Sequence, residues 1–357
     1  MTSQAESLIS LRITKYQIFC KSSILLDSLG HRRQTGASIH RGRLSVEHVL
    51  LITTTIFLII SVGYICFASA LFDKAALEPL GQFVVTIALP ALIFRTLTTQ
   101  SFSDIANFGY LGGYLFGSML VLGAGYLVAG IVSGNNPVHR TFDAAGMACA
   151  NSGLIGYPIL LLAMPAVAPT ALAMNMLTEN LIMIPLVIIL ADVASGRGGG
   201  SAVKVAILSR VLKNPLVLAM VASLVIVLLD LTLPSPVSRA IDLVASSSVA
   251  ISLFVIGGMV AGVSIRKIGP RVPMIVLGKL FALPLAVWLG FSVMSLIGFG
   301  LVDTELRKAA IIMAATPTMS IYPLLAQRYG DAETAATAML IMTVLSFFTI
   351  SALLYLL

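Results

Sequence analysis

Two nine-residue stretches of this chain carry residue types suited to ligand chemistry. One reads Ala150-Asn-Ser-Gly-Leu-Ile-Gly-Tyr-Pro158, the other Ala315-Thr-Pro-Thr-Met-Ser-Ile-Tyr-Pro323. Proline removes a backbone donor and disfavours helix in the residue before it. With Gly153, Gly156, Pro317 and Pro323 in place, helices through both stretches are expected to unwind. A half-helix restarting at Pro158 or Pro323 presents free N–H groups and a partial positive charge, which favour an anion. Asn151 and Thr316 fall at equivalent points and add polar contacts. The candidate binding set is therefore Asn151, Ser152, Gly153, Gly156, Pro158, Thr316, Pro317, Thr318 and Pro323. The alternative is a pair of proline kinks packed by their neighbours.

Two charges stand apart within apolar runs. Glu179, beside Asn180, lies mid-run, where a carboxylate is costly and a functional candidate by default. It is read either as a proton-coupling or gating group or as a structural hydrogen-bond partner of a neighbouring helix. Lys279 lies a turn or two inside another run. It either pairs with a carboxylate or attracts an anion, or it snorkels to the helix end. Arg95, Asp143, Asp230 and Asp242 read as ordinary interfacial charges. Cys149, Met174 and Met339 read as packing residues.

Enzymatic chemistry finds no support. His31, His40, His48 and His139 lie in the N-terminal tail or at the ends of apolar runs, and no aspartate pair is central. Cys20, Cys66 and Cys149 are too scattered for a disulfide framework or a metal site. No Walker-type stretch is present, so neither a cofactor nor ATP use is expected.

The elements that must position these residues follow from composition. Of 357 residues, 58% are hydrophobic and 10% charged, with mean hydropathy +1.01. Soluble domains carry about 25% charged residues, so a soluble enzyme, a secreted scaffold and a nucleic-acid binder are all poor fits. Ten apolar helices are expected, near 47–71, 77–99, 107–133, 142–164, 168–192, 215–233, 238–263, 272–298, 308–329 and 334–357. The net charge of +7 comes largely from a basic tail over residues 1–43, and the rest carries only +2. That tail is read either as genuine or as an upstream start choice, with translation beginning near Leu44 or Val46. Ser195 to Ser201 is a glycine-rich linker, followed by a mixed basic and apolar segment from Val203 to Lys213. The chain thus divides into 1–43, a first set of five spans over 44–192, a linker over 193–213, and a second set over 214–357. Lys74, Arg140, Arg197, Lys204, Arg210, Lys213, Arg266, Lys267, Arg271 and Arg328 put ten cations on the linker side against four opposite. This bias expects a cytoplasmic linker and both termini outside.

A shift of 165 residues aligns Ala144–Thr178 with Ala309–Thr343, with ten identities in 35 positions that include both Tyr-Pro pairs. Because each half has five spans, the second enters from the opposite side and the repeat is inverted. Such repeats exchange conformations and open to either side in turn.

These residues resemble the auxin efflux carrier family, bacterial and plant carriers that include proposed malonate permeases. The resemblance covers roughly Leu44 to Leu357. It rests on Gly63-Tyr64, Leu89-Pro90-Ala91-Leu92, Asn151-Ser-Gly-x-x-Gly-x-Pro158, Asn214-Pro215, Lys279 with Leu283-Pro284, and Thr316-Pro-Thr318 running to Ala326-Gln-Arg-Tyr-Gly330. It implies an all-α, inverted five-plus-five fold similar to bile-acid/sodium symporters and sodium/proton antiporters, with spans four and nine crossing at Pro158 and Pro323. It further implies a homodimer, elevator-type movement and a carboxylate-bearing organic anion as substrate. Many relatives carry an asparagine shortly after the Pro317-Thr318 pair, where this chain has Ser320 and Ile321. Coupling to H+ or Na+, and a non-transporting sensor of the same fold, are the other readings; with one central acid, a dedicated sodium cage is not expected.

Overall fold

A computed structural model describes residues 46–98, 107–196, 215–262, 268–299 and 302–357. The basic tail, most of the linker, the 203–213 segment and Asn214 lie outside the described residues. So do Arg197, Lys204, Arg210, Lys213, Arg266 and Lys267 among the cations used for orientation.

The described residues are helical, with no strand among them. In chain order the helices are α1 (Val46–Ala68), α2 (Lys74–Thr98), α3 (Phe108–Val132), α4 (Pro137–Ala148), α5 (Tyr157–Ala163) and α6 (Ala168–Ala194). After the linker come α7 (Pro215–Leu228), α8 (Ser235–Gly262), α9 (Arg271–Leu296), α10 (Thr304–Ala314), α11 (Tyr322–Gln327) and α12 (Ala332–Leu356). Seven stretches among the described residues are long and apolar enough to cross a bilayer: α2, α3, Pro137–Ala163, α6, Ser235–Ala261, α9 and α12. Two shorter apolar helices, Thr54–Ala68 and α7, accompany them. Exposed Leu58, Ile65, Leu127, Ile131, Leu243, Phe281, Trp288 and Phe348 form the kind of surface that hydrocarbon wets.

Local chemistry sets several helix ends. Asn107 caps α3 by accepting from the Tyr110 N–H at 2.9 Å. Asn136 caps α4, accepting from the Val138 and His139 N–H groups at 3.0 and 3.3 Å, with Pro137 pre-set for the first turn. Asp303 does the same for α10. Both α4 and α10 start several residues before the expected positions, because capped first turns hold charged residues that a hydropathy reading excludes.

Four helices contain a widened π turn: Val84–Ala88, Ser152–Gly156, Thr178–Met183 and Gly278–Ala282. Each is followed within two residues by a proline, namely Pro90, Pro158, Pro185 and Pro284. A proline lacks the N–H that would close the preceding turn and collides with its carbonyl, so the ladder slips to a wider ring. Glu179 and Lys279 both sit on such turns.

Packing falls into two groups. α1 lies along α8, and α7 lies along α2, which also touches α8. α3 packs on α4 and α9, α6 packs on α4, and α12 packs on α9 and α11. Backbones nearly touch within each group. A Cβ on Gly257 of α8 would lie 2.0 Å from the Ile60 carbonyl oxygen, and one on Gly290 of α9 would lie 2.2 Å from that of Gly113. Small residues at such crossings are how helices associate where burial supplies little drive. The Pro137–Ala163 stretch is the central one. Its apolar window is 89% buried, against 33–50% for the other six.

Candidate functional site

Helix α4 stops at Ala148, and Cys149, Ala150 and Asn151 run without helical structure before the chain coils again at Ser152. On the other side, α10 ends at Ala314 and the chain stays non-helical until Tyr322. The two breaks meet: the Asn151 N–H donates to the Pro317 carbonyl at 2.8 Å. The Asn151 amide Nδ2 donates to Ser320 Oγ at 2.8 Å, and its Oδ1 accepts from the Leu154 N–H at 3.2 Å. One asparagine therefore caps its own half-helix and fastens it to the other break. Each Tyr-Pro pair begins the second half-helix of its stretch, and the meeting point lies before both.

A carboxylate sits behind the first break. Glu179 Oε1 accepts from the Ala150 N–H at 3.1 Å, from Ser152 Oγ at 3.0 Å and from Tyr114 OH at 3.4 Å. Asn175, one turn earlier, donates to Ser152 Oγ at 3.2 Å and accepts from Tyr110 OH at 2.9 Å. Tyr110 with Asn175 and Tyr114 with Glu179 form two rungs in the same order, so α3 and α6 run parallel here. Asn180 faces elsewhere, donating to the Met176 carbonyl at 3.0 Å.

The second break is served by the opposite charge. Lys279 is fully buried, and its Nζ donates to the Ala314 carbonyl at the end of α10. The snorkelling reading of Lys279 is thereby corrected: its π turn aims it into the protein rather than toward the helix end. An anion thus lies at the N-terminal side of one half-helix and a cation at the C-terminal side of another, the favourable pairing in both cases. Glu179 and Lys279 serve different breaks and form no direct ion pair.

Between the breaks and α8 lies a crevice of about 10 Å³, lined by Asn151, Ile155, Ser320, Met339 and Thr343, and walled by Ile256, Met259 and Val260. That volume holds about one water. Its polar members are neutral. Thr316 Oγ1 donates to the Met313 carbonyl at 2.8 Å. Thr318, outside the crevice lining, is fully buried, and its hydroxyl has no hydrogen-bond partner among the described residues.

The structure thus gathers Asn151, Ser152, Gly153, Gly156, Thr316, Pro317 and Thr318 about the two breaks, with Glu179 and Lys279 flanking them. A Cβ on Gly153 would press on Met176 and Leu89, and one on Gly156 on Met313. Pro158 and Pro323 begin the second half-helices. Sequence reasoning missed Tyr110, Tyr114 and Asn175. Their signal was present: polar residues four apart on one face of an apolar helix, at 110 and 114 and again at 175 and 179.

Asp143 was expected to be an ordinary interfacial charge. It is fully buried and held by the Arg271 guanidinium at 2.7 Å, with Ser133 Oγ donating to it as well. Arg271, expected as a loop cation, is itself mostly covered and also grips Asp331. Arg95 and Asp242 do pair at a half-exposed site, 3.1 Å apart. Among the described residues no cluster of His, Cys, Asp and Glu is suited to a metal ion.

Residues 48–199 and 200–355 match the profile of a family described as "Membrane transport protein". A protein of Rhizobium meliloti (strain 1021) named "Putative malonate transporter" is 26% identical over an alignment of 306 residues that covers 84% of this chain and 93% of that protein. The matched profile spans nearly all of the helical part, and the chain therefore belongs to the membrane transport protein family, that of the auxin efflux carriers, as a multi-pass transporter.

Proposed function

We propose that this chain is a secondary active or facilitative carrier of a small organic anion, with the solute bound where the breaks of spans four and nine meet. The observation that carries the reading is the joining of Asn151 to Pro317 and Ser320 beside the unpartnered Thr318 hydroxyl. Irregular backbone at membrane depth is tolerated only where it is buried in protein or lines a cavity. Asn151 and Ser320 line the crevice beside the junction, and the buried Thr318 hydroxyl next to it is a donor that a widened site would uncover. The crevice lining offers the neutral polar groups of Asn151, Ser320 and Thr343, with Lys279 set behind the second break, which suits a carboxylate that must also be released.

In this reading the ten spans form an inverted five-plus-five repeat, 44–192 and 214–357, around the 193–213 linker. Pair exchange supports it: the repeat turns the α1–α8 contact into the α7–α2 contact, and the α3–α9 contact into itself. The first group is the scaffold, and the group containing both breaks moves against it as an elevator. The crevice is consistent with this, since α8 of the scaffold forms its apolar wall. At about one water's volume it must widen to admit a solute. Glu179, with Lys279 and Asn180, is the candidate coupling or gating set, with H+ as the first ion to test. The protein is taken to work as a homodimer in a bacterial inner membrane, both termini outside the cytoplasm.

The name of the Rhizobium relative makes malonate the first substrate to try. The test is uptake of labelled malonate into proteoliposomes, with short monocarboxylates and indole acetate as competitors, with and without a proton or sodium gradient. Saturable uptake that is lost in Asn151→Ala and Pro323→Ala is the expected result. Flat uptake of every acid would move the reading to another solute or to a sensor.

A further inference from the structure

The Arg271 cluster lies apart from the crevice, and none of its members lines it. Its guanidinium donates through Nε to both oxygens of Asp143 at 3.0 Å, through Nη2 to Asp143 Oδ1 at 2.7 Å, and through Nη1 to Asp331 Oδ1 at 2.8 Å. Nη2 also donates to Asp331 Oδ2 and, at 3.5 Å, to the His139 carbonyl. A planar fork that engages two carboxylates at once is geometry that lysine cannot reproduce.

What matters is which elements are joined. Asp143 belongs to α4, the first half of one broken span, and Asp331 lies in the turn between α11 and α12, immediately before α12, its N–H donating to the Ala326 carbonyl of α11, the second half of the other, at 3.0 Å. Arg271 opens α9, and Ser133, bonded to Asp143, closes α3. Tyr322 OH donates to the Phe142 carbonyl at 2.9 Å, a further tie between α11 and α4. All of this lies at one end of the bundle. It is the end at which α6 finishes before the linker, where Tyr329 OH donates to Asp192 at 2.6 Å.

The repeat does not carry this cluster to the opposite end. At a shift of 165 residues, Asp143 corresponds to Lys308, Asp331 to Ala166 and Arg271 to Ala106. Lys308 instead pairs with Glu305 of its own helix at 3.0 Å.

We propose that Arg271, Asp143 and Asp331 form a one-ended pin that holds the two broken spans together as a single moving body at their linker-facing end. The proposal rests on the carrier reading above. These are positioning residues: none lines the crevice, and they act by keeping the Asn151–Pro317 junction in register while the group containing it moves.

Removing one member strands buried charge and invites misfolding. The test therefore uses a neutral triple variant, Asp143→Asn with Arg271→Gln and Asp331→Asn, beside Arg271→Lys. Two readouts are taken on full-length protein in liposomes. One is the distance distribution between spin labels on cysteines replacing the exposed Asn135 and Glu333. The other is the kinetics of labelled malonate uptake. The triple variant is expected to broaden the distance distribution and to lower maximal uptake about tenfold, with KM within about twofold of wild type. Arg271→Lys is expected to fall between the two. A narrow, unchanged distribution in the triple variant overturns the pin, as does full-rate uptake. If wild-type protein takes up no malonate, the carrier reading has failed on that substrate, and the distance measurement alone decides the pin.

Discussion

The Asn151 N–H donates to the Pro317 carbonyl across 2.8 Å, joining residues 166 positions apart where the α4–α5 and α10–α11 stretches are both non-helical. A helix interior has no spare main-chain donor or acceptor to offer a neighbour. These two breaks do, and each is the other's partner.

Asn151→Ala keeps that main-chain bond but removes the amide from Ser320 and the cap from Leu154. Loss of the cap is expected to lower stability by about 1 kcal/mol, read as a modest drop in Tm in detergent. Uptake is expected to fall far more, at least about tenfold. A matched loss of both would mark Asn151 as a structural residue only.

Gly290→Ala places a methyl group 2.2 Å from the Gly113 carbonyl oxygen, where only backbone can yield. The expected loss is about 1–3 kcal/mol. Gly123→Ala on α3, which meets nothing within 4 Å, is the control. Helix propensity alone should leave it neutral or up to about 1 kcal/mol more stable. Thermal unfolding of both variants separates tight packing from a generic intolerance of glycine replacement.

Glu179→Gln retains an oxygen that can accept from Ala150, Ser152 and Tyr114, so folding is expected to survive. Glu179→Leu strands all three donors and is expected to lose about 3 kcal/mol or more. If the carboxylate couples transport to protons, uptake by wild type rises with an inward proton gradient and uptake by Glu179→Gln does not. Superimposable pH profiles for the two proteins would remove Glu179 from coupling.

Lys279→Met deprives the Ala314 carbonyl of its donor and Glu179 of the opposing charge. Combined with Glu179→Gln, the loss is expected to be smaller than the sum of the two singles. A coupling energy on the order of 1–3 kcal/mol in a double-mutant cycle would measure that. Strict additivity would mean that the two charges serve their helix ends independently.

Much of the helical frame was legible. Apolar runs marked the seven long helices, because in a bilayer length and hydropathy almost define the element. Both breaks were legible as well, since glycine and proline act on the nearest turn. What could not be read was pairing at a distance. Asp143 and Arg271 are 128 residues apart, and each near the end of an apolar run looks like an interfacial charge. Nothing local to Lys279 shows that a π turn swings it inward, since that turn is made by Pro284 five residues on, and the carbonyl it meets lies on α10. Tyr110 and Tyr114 pass for ordinary aromatic content until Asn175 and Glu179 are set opposite them.

The crevice at the junction has a further consequence for the membrane as a capacitor. With room for about one water, the crevice itself holds no file of solvent. A bilayer filled with this protein at rest should therefore keep its electrical resistance. If the chain works by alternating access, dissipation of a gradient should require the turnover of whole molecules rather than the opening of a pore.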